Sequence, residues 1–369
     1  MTAIKGLSKL PSPSLIFDAD QIEKNLDLML KMAGGNPGCL RPHIKTHKCA
    51  EILTLQLDRG INQVKCATIA EAELAARTGV PNILLAYPQV GQNAERWVKL
   101  SAQFPKLCLS TIVDSFEGLH AFPTDHPDQL PIYLDLDCGM HRTGVTPGEM
   151  AIRLVKEIIE SPRHSFAGIH AYDGHIHDSD TRDRRQAFDQ SIALLDGFIA
   201  DLKEEGINPP AIVTGGSPTF AFHVERACQS PNWQCSPGTP LLWDAGYQFH
   251  FPDLPFEPAA FLMTRVVSKP GKDLICLDLG HKAVSAENPI ENRVRFPSLA
   301  KPEFVSQSEE HLVVKTSESD SPAIGTELIG VPFHVCPTVA LHQSAKVVRK
   351  GVLTGDSWLI EARSRVLTI

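Results

Sequence analysis

Between about residue 14 and residue 250 the chain alternates short apolar runs with longer stretches of helical spacing, and this constrains its fold more than any other feature. The runs are Leu40–Lys45, Val64–Thr68, Ile83–Ala86, Leu107–Val113, Ile132–Asp137, Phe166–Ala171 and Ile212–Gly215. Helical spacing fills Ala70–Thr78, Met150–Glu160 and Arg184–Glu205, among others. Strands alternating with helices imply crossover connections and a parallel sheet. Seven or eight such units over about 230 residues fit a (β/α)8, TIM-like barrel better than an open sheet. Chemistry in such barrels gathers where strands end, and Lys45, Thr68, Asp137, Tyr172 and Gly215 all stand at expected strand ends.

The flanks read differently. Residues 1–13 are irregular, with Pro11 and Pro13; Ser14–Asp18 reads as a strand, and Asp18 or Asp20 can cap the helix that follows. After about Pro252, helical spacing fades. Ala260–Lys269, Leu274–Leu279, Leu312–Lys315, Glu327–Pro332 and Ser344–Arg349 are strand-like between loops rich in Pro, Gly and Ser. The expected division is a barrel over 14–250 and an antiparallel β domain over 251–369 joined by 1–13. With 369 residues, 43% of them hydrophobic, the chain can bury a core of that size. Its net charge of −8, without a dense Lys/Arg run, argues against a nucleic-acid surface. No apolar stretch approaches the roughly 18–20 residues of a membrane helix, and residues 1–13 lack a signal-peptide core. Nine dispersed cysteines suit reduced thiols and a cytoplasmic location.

Five stretches concentrate polar side chains. In Leu40-Arg-Pro-His-Ile-Lys-Thr-His-Lys48, Pro42 pushes Arg41 toward the β region, and Lys45 stands between His43, His47 and Lys48. Neighbouring positive charge depresses an amine's pKa, which an imine-forming lysine needs; the other reading is a solvated basic turn. In Thr214-Gly-Gly-Ser-Pro-Thr219 paired glycines let backbone amides approach an anion and two hydroxyls can donate to phosphate, although a plain βα turn uses the same residues. Arg142, in Asp135-Leu-Asp-Cys-Gly-Met-His-Arg142, faces either a site or an ion pair with Asp135 or Asp137. Strand alternation through Ile169–Asp178 would put His175 and His177 on one face, suited to metal ligation or acid–base work. A strand through Pro332–Thr338 would likewise present His334 and Cys336 together; imidazole plus thiolate suits Zn²⁺, and the competing reading is a buried thiol.

Arg-Pro-His-x-Lys-Thr-His-Lys resembles the cofactor-lysine motif of the D-threonine aldolase and D-serine dehydratase family, pyridoxal-phosphate enzymes of the alanine-racemase barrel type. The resemblance runs from about Ser12 to Arg365. It implies that Lys45 carries the cofactor as a Schiff base, that Arg142 sits near it, and that Tyr172 packs against it with a catalytic histidine close behind, His175 or His177. It implies phosphate contacts at Gly216 and Ser217 and, in a second loop, at Gly238 and Thr239. It implies a divalent ion, Zn²⁺ or Mn²⁺, on His334 and Cys336, with cysteine at the second position tilting toward dehydratases and aspartate toward aldolases. The expected activity is that of a lyase on a β-hydroxy-D-amino acid, in a homodimer. The rival readings are an amino-acid racemase, a non-catalytic pyridoxal-phosphate-binding protein and a metal-dependent hydrolase using His175, His177 and Asp178.

Overall fold

A computed structural model describes residues 4–123, 129–317 and 321–368. The first strand, β1 (Ser14–Asp18), precedes seven that form one sheet: β2 (Gln63–Cys66), β3 (Asn82–Leu85), β4 (Cys108–Val113), β5 (Leu130–Asp135), β6 (His164–Ala171), β7 (Ile212–Thr214) and β8 (Trp233–Cys235). They lie side by side in chain order, each parallel to the next. Such strands are covered on both faces, so their centres are continuous apolar runs, as Ile83-Leu84-Leu85 in β3.

The connecting helices show why the chain coils there. Glu149–Glu160 buries Ala151, Leu154, Val155 and Ile158, one stripe at helical spacing. Thr181–Glu204 is capped by Asp180, whose carboxylate accepts from the Arg182 and Asp183 N–H groups, and it buries Phe188, Leu195, Phe198 and Leu202.

The strand expected at Leu40–Lys45, the first of the seven apolar runs, is corrected. Leu40 makes a single parallel bridge to Cys235 of β8, and His43 one to Lys65 of β2. Pro42 has no N–H to extend a ladder, and Ile44–Thr46 coils into a 3₁₀ turn. The parallel sheet is therefore seven strands plus a bridging segment rather than eight laddered strands. Arg41 anchors that segment. Its fully buried guanidinium donates to Gln234 at 2.7 Å, Asn82 at 2.8 Å and Gln63 at 3.2 Å, side-chain carbonyls that meet its donors without a counter-charge.

The remaining strands are β9 (Ala260–Ser268), β10 (Leu274–Leu277), β11 (Val294–Arg295), β12 (Glu303–Gln307), β13 (Leu312–Lys315), β14 (Glu327–Pro332), β15 (Ser344–Arg349) and β16 (Val352–Leu359). With β1 they form a nine-stranded sheet, ordered β12-β13-β10-β9-β1-β15-β16, with β14 on β9 and β11 on β14. Every pairing is antiparallel except β1 with β15. Two compact units result. One takes the N-terminal segment through Leu28, Thr46–Cys49 and Thr239–Arg363; the other takes Met29–Lys45, Ala50–Gly238 and the segment from Ser364. Among the described residues no helix is long and apolar enough to cross a membrane.

Candidate functional site

In the unit that carries the parallel sheet, candidate residues converge on Tyr172, directly after β6. The Arg142 guanidinium lies 5.2 Å from its ring centroid and the Lys65 amine 5.3 Å from it. Gly174 and Gly216 flank the ring closely: a Cβ at Gly174 would stand 2.2 Å from a ring carbon, and one at Gly216 would stand 3.2 Å away. The ring is thus fixed by the absence of two side chains. Both of Arg142's alternative partners pair with histidines instead. Asp135 pairs with His170 at 2.7 Å, and Asp137 with His141 at 2.7 Å.

Lys45 is half-buried in the 3₁₀ turn, where its N–H donates to His43 Nδ1 at 3.3 Å. Of the basic neighbours expected around it, His47 is held neutral: burial first, then Lys48, takes its pKa down to about 3. The charge of Lys45 acts instead on a different cation. Lys65 on β2 is 2% exposed, and burial, followed by the charge of Lys45, takes its pKa down to about 7. The sequence reading passed over Lys65 because it sits inside an apolar strand run; a lysine between Val64 and Cys66 was the available signal.

The phosphate-loop candidates also meet. Gly215 adopts φ +78°, and a Cβ there would collide with His223 at 2.3 Å. The next turn brings Ser217, buried, to accept the Gly238 N–H at 3.2 Å. Behind it a polar chain runs from Thr214 to His223 (3.0 Å) and from His223 to Asp173 (2.8 Å), all buried. Burial alone would raise Asp173, but His223 and hydrogen bonds prevail and hold it below the usual carboxylate range. Its Oδ1, with His170 Nε2 and His175 Nδ1, is a buried polar atom without a partner in the protein. Thr239, also buried, lies in the other unit, where its carbonyl accepts the Leu242 and Trp243 N–H groups.

His175 and His177 do not lie on a strand. β6 ends at Ala171, and the following turn leaves His175 half-buried and His177 exposed, with His177 Nδ1 donating to the His175 carbonyl at 2.6 Å.

In the unit with the antiparallel sheet, the strand expected through Pro332–Thr338 is also corrected. β14 stops at Pro332, His334 is an N-cap, and Val335–Leu341 is a helix. Fully buried Asp244 explains the switch, since its carboxylate accepts the Val335 N–H at 2.9 Å and starts the helix there. His334 and Cys336 are nonetheless brought together. Burial would lower His334, but the Cys336 thiol and the Glu287 carboxylate outweigh it and lift His334 to about 9. His334 Nδ1 binds Glu287, and the Thr46 hydroxyl meets Cys336 Sγ at 3.2 Å. Among the described residues no group of three or more ligating side chains is gathered for a metal, so the pair stands as two donors.

Fold and site together define an alanine-racemase-like protein. Residues 17–239 match the family described as "Alanine racemase, N-terminal domain", and residues 259–348 match the "Putative serine dehydratase domain". The chain is 30% identical to a D-threonine aldolase of Arthrobacter over 97% of its own length and 94% of the relative's. It is 24% identical to the D-serine dehydratase of Schizosaccharomyces pombe over 96% and 92%. The crystal structure of D-threonine aldolase from Filomicrobium marinum superposes with a TM-score of 0.87 at 27% identity, covering 100% of both chains. The chain belongs to this family, the D-threonine aldolase and D-serine dehydratase group of alanine-racemase-like proteins. It is an enzyme of the pyridoxal-phosphate-dependent lyase type.

Proposed function

We propose that the protein is a pyridoxal-phosphate- and divalent-metal-dependent lyase acting on a β-hydroxy-D-amino acid, as a dehydratase or an aldolase. The observation that carries this reading is the grouping around Tyr172 of two cations, Lys65 and Arg142, and the Gly216–Ser217 loop, with the charge of half-buried Lys45 acting on Lys65. These residues fit the cofactor. The ring cradle is open only because Gly174 and Gly216 lack side chains, and buried polar atoms of Asp173 and His170 await partners.

Pyridoxal phosphate, when bound, supplies an electron sink for negative charge at the substrate's α-carbon. The chain's own groups do the rest. Lys45 Nζ is the amine that would hold the cofactor and the atom that would move the α-proton. Ser217 Oγ and the loop amides would hold the phosphate, as backbone N–H groups in a tight turn do. Arg142 adds a cation on the Tyr172 ring and favours bound anions. His334 and Cys336 would hold a divalent ion, which polarises a hydroxyl oxygen; their imidazole and thiol suit Zn²⁺, and Glu287 would orient the imidazole through Nδ1. Removal of the α-proton by Lys45 leads to loss of the β-hydroxyl. Removal of the hydroxyl proton leads to cleavage between the α- and β-carbons. His175, with its buried unpartnered Nδ1, suits that second task better than exposed His177.

The dispersed cysteines support a cytoplasmic location, the family resemblance a homodimer taking small D-amino acids, and the net charge of −8 argues against a nucleic-acid partner. Product analysis with D-threonine and D-serine, with and without Zn²⁺ or Mn²⁺, tests the reading. Ammonia plus a 2-oxo acid identifies a dehydratase, and glycine plus an aldehyde an aldolase. Inversion at the α-carbon without either product, undisturbed by a chelator, would contradict both and indicate a racemase.

A further inference from the structure

The helix Thr181–Glu204 carries two polar side chains on its buried face. Arg184 is 1% exposed and Ser191 5%; they stand two turns apart with Phe188 between them. Each reaches a different loop at the ends of the parallel strands. Ser191 Oγ donates to the Cys138 carbonyl at 2.9 Å, in the loop that follows β5 and continues to Arg142. Arg184 Nη1 donates to the Asp178 carbonyl at 2.9 Å, near the far end of the loop that follows β6. Phe188 forms a buried apolar cluster with Phe222 and with Ile176 of that second loop. The two loops meet where His175 lies against Gly139. A Cβ at Gly139 would stand 2.9 Å from His175 Nε2, so the imidazole rests on bare backbone, and a φ of +121° suits that position to glycine. His175 is held from both sides. Gly174 before it lies against the Tyr172 ring, and Ile176 after it donates its N–H to the Asp173 carbonyl at 3.0 Å. The His175 Nδ1 is buried without a partner in the protein, so neighbouring residues rather than a bond at that atom set the ring's place.

We propose that Arg184 and Ser191 are positioning residues: from one helix face they hold the loops after β5 and β6 at the separation that seats His175 against Gly139, three residues before Arg142. A base acts only within hydrogen-bond reach of the proton it takes, and a displacement of about 1 Å can cost roughly a hundredfold in rate. Each of the two donors fixes a backbone carbonyl rather than a side chain, so each sets the path of a whole loop. Both act through His175, and the inference rests on the reading of His175 as the group that removes the hydroxyl proton.

The test is a double-variant cycle, read in the rate of product formation from D-threonine by the holoenzyme. Ser191→Ala and Arg184→Met should each lower kcat and kcat/KM together, by on the order of tenfold. Arg184→Lys keeps a donor for the Asp178 carbonyl and should recover most of that loss. In a His175→Ala background the same substitutions should cost almost nothing further, because the residue they position is gone. Losses that multiply with that of His175→Ala would show a general loosening of the fold and overturn the inference. Should Arg184→Met fail to fold, the cycle of Ser191→Ala with His175→Ala decides alone. The two levels of failure separate cleanly. A slow His175→Ala protein beside fully active helix variants overturns this inference and leaves the reading of His175 standing; a fully active His175→Ala protein overturns both.

Discussion

The Thr46 hydroxyl lies 3.2 Å from the Cys336 sulfur, a pairing between residues 290 positions apart. Thr46 is 1% exposed, so no bulk water replaces that partner. A metal-bound thiolate has no proton to give, so in that state the Thr46 hydroxyl would be the donor to sulfur. Thr46→Val, close in shape, should weaken binding of Zn²⁺ by roughly tenfold, the scale seen for outer-shell partners. Competition with a coloured chelator measures it; unchanged affinity would count against Cys336 as a ligand.

Gly174→Ala should be far more damaging than Gly216→Ala. The first puts a Cβ 2.2 Å from the Tyr172 ring and the second 3.2 Å from it, so the first must displace the ring outright and the second asks it to give only slightly. Overpacking of this kind costs about 1–3 kcal/mol, and the cofactor's dissociation constant should rise with it. Fluorescence titration with pyridoxal phosphate gives the comparison, and equal affinities would show that the ring is not part of the cradle.

Breaking the His223–Asp173 pair should unfold the site's support before its chemistry. His223→Leu leaves a buried carboxylate without its partner, a change worth about 3–5 kcal/mol. Adding Asp173→Asn to that variant removes the stranded charge and should restore part of the loss. Denaturant titration of the single and double variants settles the order, and a double variant no more stable than the single would refute it.

Lys65 should also imprint a pH dependence on stability. Its folded pKa of about 7 lies below the ordinary 10.5, so between these values the unfolded chain holds more protons and the native state gains stability as pH rises. The burial penalty is full below about 7 and is relieved toward 10.5. Unfolding free energy of the apo-protein should therefore increase across that window, and Lys65→Met should flatten the slope. Parallel slopes in the two proteins would show that the amine is not held down by burial.

Much of the parallel sheet was legible because its strands are buried on both faces. The runs at Val64, Ile83, Leu109, Ile132, Ile169 and Ile212 are all in strands. β8 escaped, being three residues long with Gln234 at its centre. Leu40–Lys45 misled because its apolar look serves a bridge and a turn, held by Arg41 bonds to residues far along the chain. The His334–Cys336 pairing was readable from spacing but its geometry was not, since helix initiation at Val335 depends on Asp244, 91 positions away. His223 is missed for the same reason, since its meaning lies in its buried pairing with Asp173, 50 positions away; for Lys65 the local signal is only a lysine inside an apolar run, and its burial against the Tyr172 ring is not local.

The most direct test of the whole account is where pyridoxal phosphate becomes fixed when the loaded protein is reduced with borohydride and digested. The account predicts one modified peptide, carrying the cofactor on Lys45, and none after Lys45→Ala. Modification at another lysine with Lys45 untouched, or no modification at all, would contradict it.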